Sequence, residues 1–245
     1  MHSAVTPASP ASSASAASAA SSAAAAAVAP ERPLLVVFGA GGHGRVAADA
    51  ALASGCFRAV LASDRRESLW GSELLPGVQV LSPRALRDLP QPWELHVAIG
   101  DNASRQREAR LLLEQEARGA RLASVVHPRA AVALGARIGA GCLLAAQCVV
   151  GPLAVLGDGV IVNHTAVVDH DCTLGAWAHI APGARLGGAV RVGEAALVGA
   201  GSTVLRNLGV GARCILGAGA VALHDLPDDT CWAGVPARQA SHGAA

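Results

Sequence analysis

The sequence predicts a small α/β domain of Rossmann-like kind followed by an all-β solenoid, and three observations predict it. Branched aliphatic residues recur every six positions through the C-terminal half. A glycine-rich turn, GAGGHG, joins an apolar strand to a helix near the start. Between them lie about ninety residues, Leu34 to Ser124, room for one mononucleotide-binding half but not two.

Residues 1–32 come first and consist largely of Ala, Ser and Pro, with almost no large side chain to offset the entropy of ordering, so a disordered tail is expected. The stretch lacks the basic start and Leu-rich core of a secretory signal and the Arg of a transit peptide, which predicts a cytoplasmic protein. A formal net charge of +1 gives no reason to expect a nucleic-acid partner. No uninterrupted apolar run is long enough to predict a membrane span.

Residues 33–124 form the expected Rossmann-like domain. Leu34 to Phe38 reads as a buried strand, and Gly39, Gly41 and Gly44 follow in G-x-G-x-x-G order before a helix opening near Gly44. Free backbone N–H groups and the positive end of that helix would face a phosphate. Asp64 closes the apolar stretch Ala59 to Ala62, placed to accept hydrogen bonds from a ribose or sugar hydroxyl. A second strand, Leu95 to Ile99, ends at Gly100, Asp101 and Asn102, again at the edge where open α/β sheets bind ligands.

Residues 125–239 form the solenoid, with a short tail at 240–245. Stepping by six from Val126 to Leu216 meets only Val, Ile or Leu; four positions beyond each lies a small or apolar residue. A helix of period 3.6 would scatter that repeat, and a plain strand of period two would not need a small residue at fixed phase. A triangular coil of short parallel strands satisfies both, with three hexads per turn and turns stacked about 4.8 Å apart. Cys142, Cys148, Cys172 and Cys214 fall at the small phase and read as buried free thiols. None of the six cysteines forms a CxxC pair.

Within the coil, VVDHDCTLGAWAHIAPG sets His170 between Asp169 and Asp171 and places His179 nine residues on. Activating an amine or hydroxyl for attack requires loss of a proton, and histidine is the side chain whose ordinary pKa lies nearest neutrality. Either carboxylate could fix the imidazole tautomer. Gly188, one turn beyond His170, leaves room against the ring for a substrate. His164 sits at the same phase one hexad earlier, and Trp177 and Trp232 could line a groove or an interface.

The span from Val126 to about Val221 resembles the hexapeptide-repeat acyltransferases, which implies a left-handed parallel β-helix; Gly234, Val235, Pro236 and Ala237 resemble the segment that follows the helix there. Gly41, Gly42, His43 and Gly44, with Asp64 and Gly100 to Asn102, resemble the domain that binds a nucleotide-activated sugar in one branch of that family. The coil motif is similar to the sialic acid O-acetyltransferase family and to bacterial N-acetyltransferases of nucleotide-activated 4-amino-sugars. That resemblance implies His170 as general base, Asp171 as its assistant and His179 as a contact to the donor. It implies acetyl-CoA lying near Gly188, Ala200, Gly217 and Ala218, with Gly41, Gly42, His43, Gly44, Asp64, Gly100 and Asn102 holding the acceptor. A homotrimer with sites between coils, no metal, and a role in bacterial surface glycan or glycoconjugate synthesis follow from the same resemblance. Sugar O-acetylation is the alternative activity. A nicotinamide oxidoreductase conflicts with the missing second half-domain, and a noncatalytic trimeric scaffold would leave His170 without a task.

Overall fold

Strand β1 (Leu34–Phe38) is five apolar residues, all buried, and occupies the middle of a six-stranded sheet. On one side it pairs in parallel with β2 (Ala59–Ser63), which pairs with β4 (Val78–Leu81); β3 (Glu73–Leu75) closes that edge antiparallel. On the other side β5 (Trp93–Val97) pairs with β1 and with β6 (Arg121–Leu122). The order therefore reverses between β1 and β5, which opens a crevice at their carboxyl ends. The second strand lies two residues earlier than the sequence predicts, because Trp93 and Glu94 pair with Leu34 and Leu35.

Helix α1 (Gly42–Ser54) opens two residues before Gly44 and buries Gly44, Ala47, Ala48, Ala50 and Ala51, a small-residue stripe that brings it close to its neighbours. Helix α2 (Asn102–Gln115) starts where the Asp101 carboxylate accepts the Ser104 N–H at 2.8 Å, a side-chain N-cap. Its buried stripe is Asn102, Arg105, Ala109 and Leu112.

The structure is a computed structural model that describes residues 32–240; the tails expected at 1–32 and 240–245 lie outside the described residues apart from Arg32 and Ala240. From Val125 onward the strands are two-residue rungs that pair in parallel with the rung eighteen positions on, as Leu143 with Ile161, Val149 with Val167 and Val155 with Thr173. They build three faces of a prism. The first carries Val125–Val126, Leu143–Leu144, Ile161–Val162, His179–Ile180, Leu197–Val198 and Ile215–Leu216; the second includes Val167–Val168; the third includes Thr173–Leu174. The aliphatic phase fills the interior from Leu144 onward, whereas Val126 and Val132 remain 37% and 39% exposed because no earlier turn lies beneath them. Cys142, Cys148, Cys172 and Cys214 are buried free thiols, and burial pushes the first two up to about 11 and about 12.

Between faces the chain turns at a residue with positive φ, repeated every six positions from Gly135 to Gly219; nine of these residues are not glycine. Each such residue costs about 1–2 kcal/mol in isolation. The cost is offset by a repeated hydrogen bond to the turn below, as Asp171 N–H to the Pro152 carbonyl at 3.0 Å and Ala189 N–H to the His170 carbonyl at 2.9 Å.

The described residues form one compact unit in which the sheet domain docks on the first face. Val125, Leu143 and Ile161 point outward from that face and join a single core with Ala47, Ala48, Ala50 and Ala51 of α1. At the far end, Cys231–Ala233 pairs in parallel with Ile215–Leu216 and is itself covered by the antiparallel strand Arg238–Gln239.

Candidate active site

His170 stands on the corner after the second face, with its side chain 56% exposed. Its backbone N–H donates to Asp169 Oδ1 at 2.7 Å, and its Nδ1 lies 2.7 Å from Asp171 Oδ2. With Nδ1–H donated to the carboxylate, Nε2 carries the lone pair, the arrangement a general base needs. The hydrogen bond donated to Asp171 and then the charge of Asp169 hold the imidazole above its ordinary pKa. Gly188 is buried directly beneath: a Cβ there would lie 2.5 Å from Nε2. The space expected for substrate is therefore occupied by the imidazole itself, and the absent side chain is what lets the ring approach the next turn so closely.

His179 projects from the first face, not from the His170 corner. Its Nε2 meets the Asn163 amide nitrogen at 3.2 Å and so accepts, while the Gly100 carbonyl lies in hydrogen-bonding position to the ring. Burial, reinforced by the positive charge of Arg105, pushes its pKa down to about 4. Ala200, Gly217 and Ala218 stack on the corner after the first face, one turn apart, with Ala200 and Ala218 exposed and without bulky side chains. Within one chain, then, the base and Gly188 occupy one corner, and His179, Ala200, Gly217 and Ala218 occupy another side of the prism.

The crevice of the sheet domain is a cleft of about 440 Å³ bordered by Gly41, Gly42, His43, Asp64, Arg66 and Gly100. A Cβ added at Gly41 or Gly42 would meet nothing within 4 Å, so both leave open backbone for a ligand. Gly44 does not: its α-carbon lies against the Gly39 carbonyl, and its role is helix packing. Asp64 also departs from its expected role. Its Oδ2 accepts from Ala40 N–H at 2.7 Å and Arg66 Nη2 at 3.0 Å, and its Oδ1 from Arg66 N–H at 2.9 Å and Nε at 3.0 Å. Those four bonds fill a carboxylate's acceptor sites, so Asp64 braces the glycine loop and leaves Arg66 at the cleft. Burial opposes ionisation of Asp64, but the bonds from Arg66 and Ala40 hold its pKa below the ordinary value.

Asn102 is likewise turned inward, donating to the Ala195 and Ala196 carbonyls of the coil at 2.9 and 3.1 Å. His43 packs toward the coil with its ring centroid 6.2 Å from that of His179, and burial, with His96 and His179 nearby, pushes its pKa down to about 3. Trp177 serves the domain junction, covering Gly159 and joining the core of the sheet domain. Trp232 donates to the Thr230 hydroxyl at 2.9 Å. Among the described residues, no group of three or more His, Cys, Asp or Glu is placed to hold a metal ion. No helix among them is long and apolar enough to cross a membrane.

Two family models match: the PglD N-terminal domain over residues 34–112, and the bacterial transferase hexapeptide (six repeats) over residues 153–188. The acetyltransferase domain of PglB from Neisseria gonorrhoeae FA1090, solved with acetyl coenzyme A, is 39% identical with a TM-score of 0.79; the match covers 86% of this chain and 100% of that one. The chain belongs to the PglD-type hexapeptide acetyltransferases. PerB from Caulobacter crescentus, solved with CoA and GDP-perosamine, is 35% identical with a TM-score of 0.76, over 84% of this chain and 97% of that one. WeeI from Acinetobacter baumannii AYE, at 24% identity and a TM-score of 0.77, shares the fold. None of the curated proteins matches. The prism of this acetyltransferase is thus the left-handed parallel β-helix of its family.

Sequence reasoning missed Arg105 and Asn163. Arg105 had a signal: it falls on the same helical stripe as Ala109 and Leu112, where a charge must find buried partners. Asn163 had none, since its partner His179 lies one turn on.

Proposed function

We propose that the protein transfers the acetyl group of acetyl-CoA to the amine of a nucleotide-activated amino sugar, in a site assembled between copies of the chain. The observation that carries this reading is the His170–Asp171 pair, with Nδ1 bound at 2.7 Å and Nε2 left as acceptor on an exposed corner. The amine nitrogen forms a bond to the thioester carbonyl carbon as His170 Nε2 takes its proton. The C–S bond then breaks, and CoA leaves as the thiol with the proton that the His170 imidazolium returns. Asp171 fixes the tautomer and stabilises the imidazolium.

The open backbone at Gly41 and Gly42, with Arg66 beside it, suits the diphosphate of a nucleotide sugar. The small residues Ala200, Gly217 and Ala218 leave a corner along which an extended thioester can lie. Since that corner and His170 belong to different sides of one prism, a homotrimer that brings the His170 corner of one copy beside the first face of the next supplies a complete site. A cytoplasmic location fits a donor made in the cytoplasm.

Incubation with acetyl-CoA and a panel of sugar nucleotides, read by thiol release, tests the reaction; no release above background with any amino-sugar nucleotide refutes it. Gly42→Val should raise the acceptor KM at least about tenfold while the acetyl-CoA KM moves less than about threefold. Mixing His170→Ala subunits with Ala200→Trp subunits should restore activity through hybrid sites, and no recovery in mixed oligomers argues for a site within one chain.

A further inference from the structure

Arg105 is 1% exposed and carries its charge into the junction between the sheet domain and the coil. All five of its donors are used. Nε donates to the Gly159 carbonyl at 3.1 Å; Nη1 donates to Ile99 and Gly100 at 2.9 and 3.2 Å; Nη2 donates to Asn102 Oδ1 at 2.9 Å and to the Trp177 carbonyl at 2.7 Å. Every acceptor is uncharged, and among the described residues Arg105 forms no salt bridge. Burial accordingly pushes this guanidinium down to about 10. A buried charge held by neutral acceptors, with the carboxylate of Asp101 acting on it only from a distance, costs stability that a neutral side chain would not.

What the charge gains is geometry. Ile99 and Gly100 line the cleft, and Trp177 lies two residues before His179 on the coil. The planar fork holds both at fixed separation, and the Gly100 carbonyl that it binds also faces the His179 ring. Asn102, oriented by Nη2, repeats the link one turn further along at Ala195 and Ala196.

We propose that Arg105 is a positioning residue that sets the acceptor cleft and His179 in register, so that occupation of the cleft is felt at the donor side of the coil. The proposal rests on the acetyltransferase reading. Arg105 touches neither substrate; it acts through the Gly100 wall and the Trp177–His179 segment. Lysine in its place keeps the charge but cannot span five acceptors with a rigid plane.

The test compares Arg105→Lys, Arg105→Met and Arg105→Ala with the parent protein. The expected result is a kcat lowered by about 10²-fold in Arg105→Lys, as for reacting groups held about 1 Å out of place, with the acetyl-CoA KM within threefold. Guanidinium ion should restore part of the Arg105→Ala activity. Independently of turnover, the NMR titration of His179 should move to higher pH in Arg105→Met, because a nearby positive charge has been removed from a histidine held near 4. A thiol-release signal in the parent with a kcat within twofold in folded Arg105→Lys overturns the proposal, as does an unmoved His179 titration in Arg105→Met. A parent with no transfer activity sinks the acetyltransferase reading instead, and the His179 titration still decides whether Arg105 is coupled to it.

Discussion

Two neighbouring corners of the coil, Asn163-His164-Thr165 and Asp169-His170-Asp171, have the same backbone and different chemistry. In both, the side-chain oxygen of the first residue accepts the histidine N–H, at 2.9 Å from His164 and 2.7 Å from His170. In both, the third residue has positive φ. The difference lies in that third side chain. Thr165 donates its hydroxyl back to the His164 carbonyl at 2.7 Å, whereas Asp171 reaches the His170 ring. The next turn differs too, with Pro182 eighteen residues beyond His164 and Gly188 beyond His170. The scaffold thus presents a histidine twice, and only the one with a carboxylate on Nδ1 and a bare turn beneath it is prepared to take a proton.

Removing the imidazole gives the largest contrast. His170→Ala should lower kcat by about 10²- to 10⁴-fold, the usual worth of a general base, in a protein that sediments as the parent does. Activity within threefold of the parent would end its role. Gly188→Ala comes next: the added methyl must displace Nε2, and a shift of about 1 Å is expected to cost about 10² in kcat/KM with unchanged circular dichroism.

Asp171→Asn isolates the carboxylate. A general base at His170 would work in its neutral form, above its pKa, and Asp171 raises that pKa. The acid limb of kcat/KM against pH should therefore shift to lower pH in this variant while the plateau falls, by about tenfold. A limb that stays in place would show that Asp171 does not face the ring during turnover. The smallest effect belongs to the twin corner, where His164→Ala should leave kcat within about threefold. A loss as large as that of His170→Ala would abolish the distinction between the two corners.

The coil and the His170 site were legible because both are written over short distances. Six residues specify a rung and a turn, and Asp171 is the immediate neighbour of the ring it binds. The cleft was legible only in part. The motif placed Gly41, Gly42, Asp64 and Gly100 at the carboxyl edge of the sheet, but it could not say that the Asp64 oxygens are already filled by Ala40 and Arg66. Asn102 and Arg105 depend on how α2 meets the coil, since their partners on the coil lie 54 to 94 residues away. No local pattern encodes that docking, apart from a charge on an otherwise apolar helical stripe.

A stack of parallel rungs has no inherent length, and any exposed last rung could template another chain. Here the final rung on the first face is followed by Cys231–Ala233, and the strand laid against it, Arg238–Gln239, runs the opposite way. That reversal breaks the repeat, so an incoming rung meets a two-residue strand of reversed direction carrying a charged arginine, instead of a matching aliphatic step. At the other end the first rung, Val125–Val126, is packed against α1. The coil is a polymer-like object made finite at its C-terminal end, and deleting residues 231–239 should convert a discrete protein into one that forms fibres.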